Sequence, residues 1–331
     1  MTGANAIRWV LIAVAVLTAL MPVSAAAQLF SLAIDPVTPT TLYAGTQGVW
    51  KSTDGGATWT ITGLTDREQY SLAIDPVTPT TLYAGRNGAI ARSTDGGVSW
   101  TSVAITGDPY GLLIDPASPT TLYAKFSRPG GDTLLKSTDS GSSWIETPPP
   151  FHLTINGVAI DASRPTNLYA MAWDPRVASA ECCLVVYKST DGGASWMQRG
   201  SVPANLFLVT DPVTPAILYA GGDSGIFKSI NEGSNWILTG PSAHALVIDP
   251  LNPATLYATR TDYSCFEFWG DFQCLVTGVI YKSTDGATNW TQVAELADIP
   301  VCPLVIDPLT PTTLYAGGWK SIDGGASWSA R

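Results

Sequence analysis

At 331 residues with only 13% of them charged, and with 31 Gly, 24 Pro and 12 Trp, the chain reads as a globular all-β protein rather than a disordered one and can bury a large core. A formal charge of −10 with no basic stripe excludes nucleic acid as a partner, because nothing is placed to neutralise phosphates. Thirteen of the 27 acids recur at fixed repeat positions, so the negative charge belongs to a scaffold rather than to a designed field.

In chain order the first element is an export signal. Arg8 precedes an apolar run from Trp9 to Leu20, followed by Pro22 and the small tract Ser24-Ala25-Ala26-Ala27 before Gln28. That is the pattern of a secretory signal peptide over residues 1–27, and its apolar part falls short of the roughly 20 residues a spanning helix needs. The expected mature protein is secreted or periplasmic, with no stable membrane insertion after cleavage. Five cysteines suit that oxidising location, and their odd number leaves one unpaired or intermolecular.

From residue 28 to 331 the chain is a single array of seven repeats. One motif begins LAIDPVTPTTLYAG at 32–45 and recurs to LVIDPLTPTTLYAG at 304–317; a second, STDGGATW at 52–59, alternates with it to SIDGGASW at 321–328. Each unit reads as four strands: an apolar run ending in Asp, the Leu-Tyr-Ala run, an apolar run ending in Lys-Ser or Arg-Ser, and a run starting at Trp. Asp-Pro with a second Pro turns the chain between the first two strands, and Asp-Gly between the last two. Units of about 40 residues that cannot bury their faces alone stack as propeller blades. The expected fold is all-β: a seven-bladed β-propeller of four-stranded antiparallel blades.

The Ser-x-Asp-x-Gly-x-Ser/Thr-Trp pattern resembles the Asp-box, or BNR, repeat of sialidases, sortilin-type receptors, two-propeller xyloglucanases and photosystem II assembly factors. The matching positions are Asp54 and Trp59, Asp95 and Trp100, Asp139 and Trp144, Asp191 and Trp196, Asn231 and Trp236, Asp285 and Trp290, and Asp323 and Trp328. In the resembling families the box lies away from the active site. Its chemistry agrees: the Asp accepts turn N–H groups, the glycines supply positive φ, the Ser bonds locally and the Trp buries a large ring between sheets. Asn231 and Glu232 depart from the pattern, which predicts a looser fifth turn. The recurring cation (Lys51, Arg92, Lys136, Lys188, Lys228, Lys282, Lys320) has a periodicity that points to a repeated structural pairing.

Function is expected on one face only. The Asp-to-Leu and Ser-to-Trp spacings are seven residues in every unit, whereas the Tyr-to-Ser spacing runs 9, 10, 14, 20, 10, 26 and 6. Loops on a rigid scaffold are where binding residues concentrate, and three stand out: 125–133, 171–186 with Trp173, and 259–279. The last holds Tyr263, Phe266, Phe268, Trp269 and Phe272, with Cys265 and Cys274 placed to close it as a hairpin. Such aromatics are good anchors for a protein or for sugar rings; the alternative is that the loop folds inward and packs on the channel or the next blade. Cys182, Cys183 and Cys302 leave the disulfide connectivity open.

A sialidase would carry an Arg-Ile-Pro segment, which this chain lacks. A glycosidase asks for two carboxylates roughly 5–10 Å apart, and Asp174, Glu181, Asp223, Asp262, Glu267 and Asp271 are available on the long-link face. No cofactor is implied, and with only His152 and His244 no metal site is expected. The seventh unit ends three residues after Trp328, so its last strand is a stub whose edge is open to a partner strand. The reading is a secreted non-catalytic binding or assembly module for protein or glycan ligands, with a glycoside hydrolase, sialidase-like or xyloglucanase-like, and a structural envelope component as alternatives.

Overall fold

The computed structural model describes residues 31–65, 71–86, 88–105, 107–128, 131–147, 154–174, 184–268, 271–297 and 300–330, without the side chains of 264–268 and 271–274. Residues 1–27, where an export signal is expected, and Cys182, Cys183, Glu181 and Trp269 lie outside these residues. The described strands form seven four-stranded antiparallel sheets, each in sequential order, so each repeat is one blade. Blade one comprises Ser31–Ile34, Leu42–Thr46, Gly48–Ser52 and Thr60–Ile61. First strands of neighbouring blades lie side by side from blade one to three and from four to seven, blades three and four meet through Lys125 and the Ile155 and Asn156 carbonyls, and Leu304–Ile306 of blade seven lies beside Ser31–Ile34 of blade one, which closes the ring.

The Leu-Tyr-Ala run explains why the blades stack. Side chains alternate across a strand, so Tyr43 joins a core shared with Leu72, Ile74 and Leu82 of blade two. Leu42 and Ala44 point the other way, into a core shared with Val305 and Tyr315 of blade seven. Both faces of each blade are thus buried, which is why these strands read as unbroken apolar runs rather than as alternating ones.

The Ser–Asp turn is a structural device in every blade. In blade one, Ser52 Oγ donates to Asp54 Oδ1 (2.7 Å) and accepts from Gly56 N–H (2.9 Å), while Thr58 N–H donates to Asp54 Oδ1 (2.9 Å). Two consecutive residues, Gly55 and Gly56, take φ of 72° and 91°, the left-handed region that favours glycine. The fifth turn is not looser: Asn231 Oδ1 accepts from Ser229 Oγ (3.0 Å) and Asn235 N–H (2.9 Å), and Glu232 adopts φ 59° in the glycine's place. An amide oxygen accepts the same bonds as a carboxylate oxygen, which is why the substitution is tolerated. The box tryptophans are half-buried rather than sealed between sheets; Trp59 Nε1 donates to Gly56 O (3.0 Å) within its own turn.

The turn also latches adjacent blades. The carbonyl of Gly96 in blade two accepts from Tyr43 Oη (3.2 Å) and Lys51 Nζ (3.1 Å) of blade one. Gly192, Gly286 and Gly324 are held in the same way by Tyr123 and Lys136, Tyr219 and Lys228, and Tyr257 and Lys282. Lys320 reaches Gly55 O (3.1 Å) across the closing seam. Between blades four and five, Glu232 replaces the glycine, and its carboxylate takes Lys188 (2.6 Å) and Arg199 (3.2 Å) instead. In these six blades the recurring cation, a lysine in each, is therefore an interblade clamp.

Blade seven does end in a two-residue outer strand, Ser329–Ala330, but Thr60–Ile61 and Ile145–Glu146 are equally short. Its stub is one of three.

Candidate functional site

Antiparallel order puts the links between second and third strands, and those between consecutive blades, on one face. Blade six dominates it. Its second and third strands, Leu256–Phe268 and Asp271–Ser283, pair throughout, with Cys265 opposite Cys274, while the fourth strand pairs no further than Thr277. Beyond that point a two-stranded ribbon extends about 20 Å, at roughly 3.3 Å per residue. Its base exposes one apolar side chain on each side: Tyr263 is 50% exposed on one, beside its buried partner Val276, and Leu275 is 54% exposed on the other. The side chains of Phe266, Phe268, Phe272, Cys265 and Cys274 lie outside the described residues. Cys302 is free and buried beneath this blade, where its Sγ lies 3.4 Å from Thr259 Oγ1 and burial pushes its thiol up to about 11.

The other sequence candidates separate. Trp173 is 41% exposed at the end of blade four's second strand, its N–H bonded to Thr154 O (3.1 Å). Asp174 next to it is fully buried and accepts from Tyr187 Oη (2.6 Å), so it is a packing group rather than an accessible acid. Tyr187→Phe removes a hydrogen bond to a buried carboxylate and is expected to cost about 2 kcal/mol in denaturant unfolding. Asp223 and Asp262, by contrast, flank one residue from two blades.

That residue is His244. Thr261 N–H donates to its Nδ1 (3.3 Å), which places the imidazole proton on Nε2, 3.7 Å from Asp223 Oδ1. Burial holds its pKa below the ordinary value against the pull of both acids. Asp262 is already paired with Arg260 (2.7 Å), which also donates to Ser242 Oγ (3.1 Å). Asn205 links this group backward, donating to Asp223 Oδ2 (3.1 Å) and accepting Asn156 Nδ2 at its carbonyl (2.9 Å). A polar shelf thus runs from blade four to the base of the ribbon. Burial raises the carboxyl of Asp115, which sits in an Asp–Pro turn on the opposite face.

A second group is built on the 125–133 link. Lys125 stands where blades one and two have glycine, and it is buried with Nζ bonded to Asn156 O (2.9 Å) and Ile155 O (3.3 Å), 4.4 Å from the centre of the Tyr110 ring. Burial pulls its pKa down to about 8, partly offset by Asp132. Asp132 accepts from Tyr110 Oη (2.6 Å) and Ile155 N–H (2.8 Å), and burial followed by this bond raises the phenol. These side chains bridge blades three and four; Lys125 and Asp132 lie in the 125–133 link that stood out by its length, whereas Tyr110 carried no signal of its own. Among the described residues no cluster of three metal-ligating side chains exists, and no helix is long and apolar enough to cross a membrane.

No family model matches the chain. A xyloglucanase from Paenibacillus sp is 29% identical over 150 residues, covering 38% of this chain and 14% of that protein, so the chain spans only a small part of that relative's length. Among solved structures, the GH74 xyloglucanase from Xanthomonas campestris superposes with a TM-score of 0.57 at 16% identity, over 92% of this chain and 66% of its own. YCF48 bound to D1 peptide superposes with a TM-score of 0.55 at 15% identity, over 92% of both chains. At these identities the solved structures establish the shared β-propeller fold.

Proposed function

We propose that this protein is a secreted or periplasmic, non-catalytic binding or assembly module of the Asp-box type, which engages a protein or glycan ligand through its long-link face. The observation that carries this reading is the ribbon of blade six, whose base exposes Tyr263 and Leu275 on opposite sides and whose sequence adds four more aromatics. Rigid aromatics offer large contact area for little conformational entropy. The register that sets Cys265 opposite Cys274 supports a disulfide there, worth about 2–3 kcal/mol to a short hairpin by the chain-entropy estimate. A propeller of the same fold is known with a peptide bound, which supports a peptide ligand. An incoming strand at the edge of blade seven is a weaker proposal, since blades one and three offer similar edges.

A glycoside hydrolase is the second reading, favoured by the 29% identity to a xyloglucanase. It would employ Asp223 and Asp262 around His244. Both readings are tested by presenting the chain to immobilised xyloglucan, other polysaccharides and a peptide array, alongside Phe268→Ala/Trp269→Ala/Phe272→Ala and with release of reducing ends followed. The proposal expects binding that the triple variant loses while its melting is unchanged, with no reducing ends released. Reducing ends that disappear in Asp223→Asn would establish the hydrolase instead, and binding unaffected by the triple variant would remove the ribbon from the ligand site.

A further inference from the structure

The opposite face, built from turns of equal length, carries its own asymmetry. The residue two after the turn Asp is an exposed aliphatic in five blades: Val213 in blade five, Leu251 in six, Leu309 in seven, Val37 in one and Val77 in two. Blades three and four have Ala117 and Ser163 there. The box turns on the same face add Ile230 to blade five, Ile322 to blade seven and Val98 to blade two. Because blade seven closes on blade one, blades five, six, seven, one and two are consecutive, and the exposed aliphatics form one arc.

The arc holds two, one, two, one and two large aliphatic side chains in that order, a sequence that reads the same from either end. A twofold axis lying between two facing rings and passing along blade seven would set blade five of one copy over blade two of the other, and blade six over blade one. Blade seven would meet itself. An isologous interface requires this self-complementarity, in which each patch meets its own mirror position, and turns of uniform length leave no protrusion to prevent contact. With exposures between 39 and 76%, the eight side chains present on the order of 450 Å² of aliphatic surface at roughly 60–120 Å² per fully exposed side chain. One side of a standard interface, about 800 Å² and a little over half apolar, holds about the same.

We infer that this face is a docking surface for a second copy of the chain, pairing two propellers turn face to turn face about blade seven. The two long-link faces then point outward, and the pair presents two ligand sites in opposite directions. The turn faces also carry the repeated aspartates, so the facing copies repel and added salt strengthens the pair.

Sedimentation velocity of the purified chain over a wide concentration range, at low and high salt, tests this. The expected result is a dimer favoured by salt. Leu309→Asp/Ile322→Asp, in which each new charge faces its own copy, is expected to weaken it by roughly a hundredfold or more. Val77→Asp/Val213→Asp should act similarly, and Met197→Asp, exposed on the outer strand of blade four, should leave it intact; unchanged melting of each variant separates interface loss from unfolding. A chain that remains monomeric at every concentration overturns the inference, as does a dimer indifferent to both pairs of aspartates. Monomers that sediment with phosphatidylcholine vesicles, or that associate only with a cationic peptide and release it in salt, would assign the arc to a different partner and overturn it equally.

Discussion

Leu42→Ala is expected to lower the free energy of unfolding by about 3 kcal/mol, within the range for truncating a fully buried leucine. Leu42 has no exposed surface and belongs to the core that joins blade one to blade seven, with Leu32, Ile34, Ala44, Val305 and Tyr315. All four strands of blade seven come from one stretch, Leu304–Ala330, so among the described residues no exchanged strand ties the two blades. This core and the bond from Lys320 to Gly55 O both hold the seam. Guanidinium unfolding of Leu42→Ala, and of Leu42→Ala/Lys320→Met, measures it; the second variant should lose about 2 kcal/mol more, the usual worth of a hydrogen bond from a charged group. A loss under about 1 kcal/mol for Leu42→Ala would mean that the seam is closed by something else.

Acid should weaken the ring through its repeated turns. Asp95, Asp139, Asp191, Asp285 and Asp323 are held down to about 2 from an ordinary 3.8, and Asp54 is driven lower still. The cause is local: in five of the six, the hydroxyl of the residue four positions on donates to the carboxylate first and its N–H second, while at Asp285 the N–H of Asn289 leads. A carboxyl whose folded pKa lies below its unfolded one contributes stability above the unfolded value and loses it as pH falls through the folded value. The melting temperature should therefore be level above about pH 5 and fall from about 4 toward 2, with solvent screening at these exposed turns keeping the fall shallow. Asp115, raised by burial, acts with the opposite sign and blunts the slope slightly. Asn231 does not titrate, so Asn231→Asp should steepen the acid limb; a melting temperature that stays level down to pH 2 would show that these turns carry no linked stability.

Much of the fold was legible because the repeat encodes it locally. The Asp-Pro and Asp-Gly turns fix the strand ends, and the spacing of Cys265 and Cys274 anticipated their opposition in the ribbon. The periodic lysine announced a structural pairing, but its acceptor, a glycine carbonyl of the next blade, follows only from how blades stack. The same limit hid the shelf of Asn156, Asn205, Asp223 and His244, whose members lie in three blades and meet only through tertiary contact. Asp174 looked like an available acid from its loop position, yet Tyr187 from the facing strand covers it. The aliphatic arc escaped because Val37 and its counterparts resemble filler in one repeat, and only ring closure makes blades five and two parts of a single pattern.

The most direct test of the binding reading is to replace residues 264–275 with an Asn-Gly turn, joining Tyr263 to Val276 where they already pair, and to measure melting and ligand binding together. The account predicts unchanged melting, because the blade's fourth strand pairs no further than Thr277 and the two-residue turn closes the strands in place of the disulfide, with binding abolished. Full binding by the trimmed protein would contradict it and place the ligand elsewhere on the propeller.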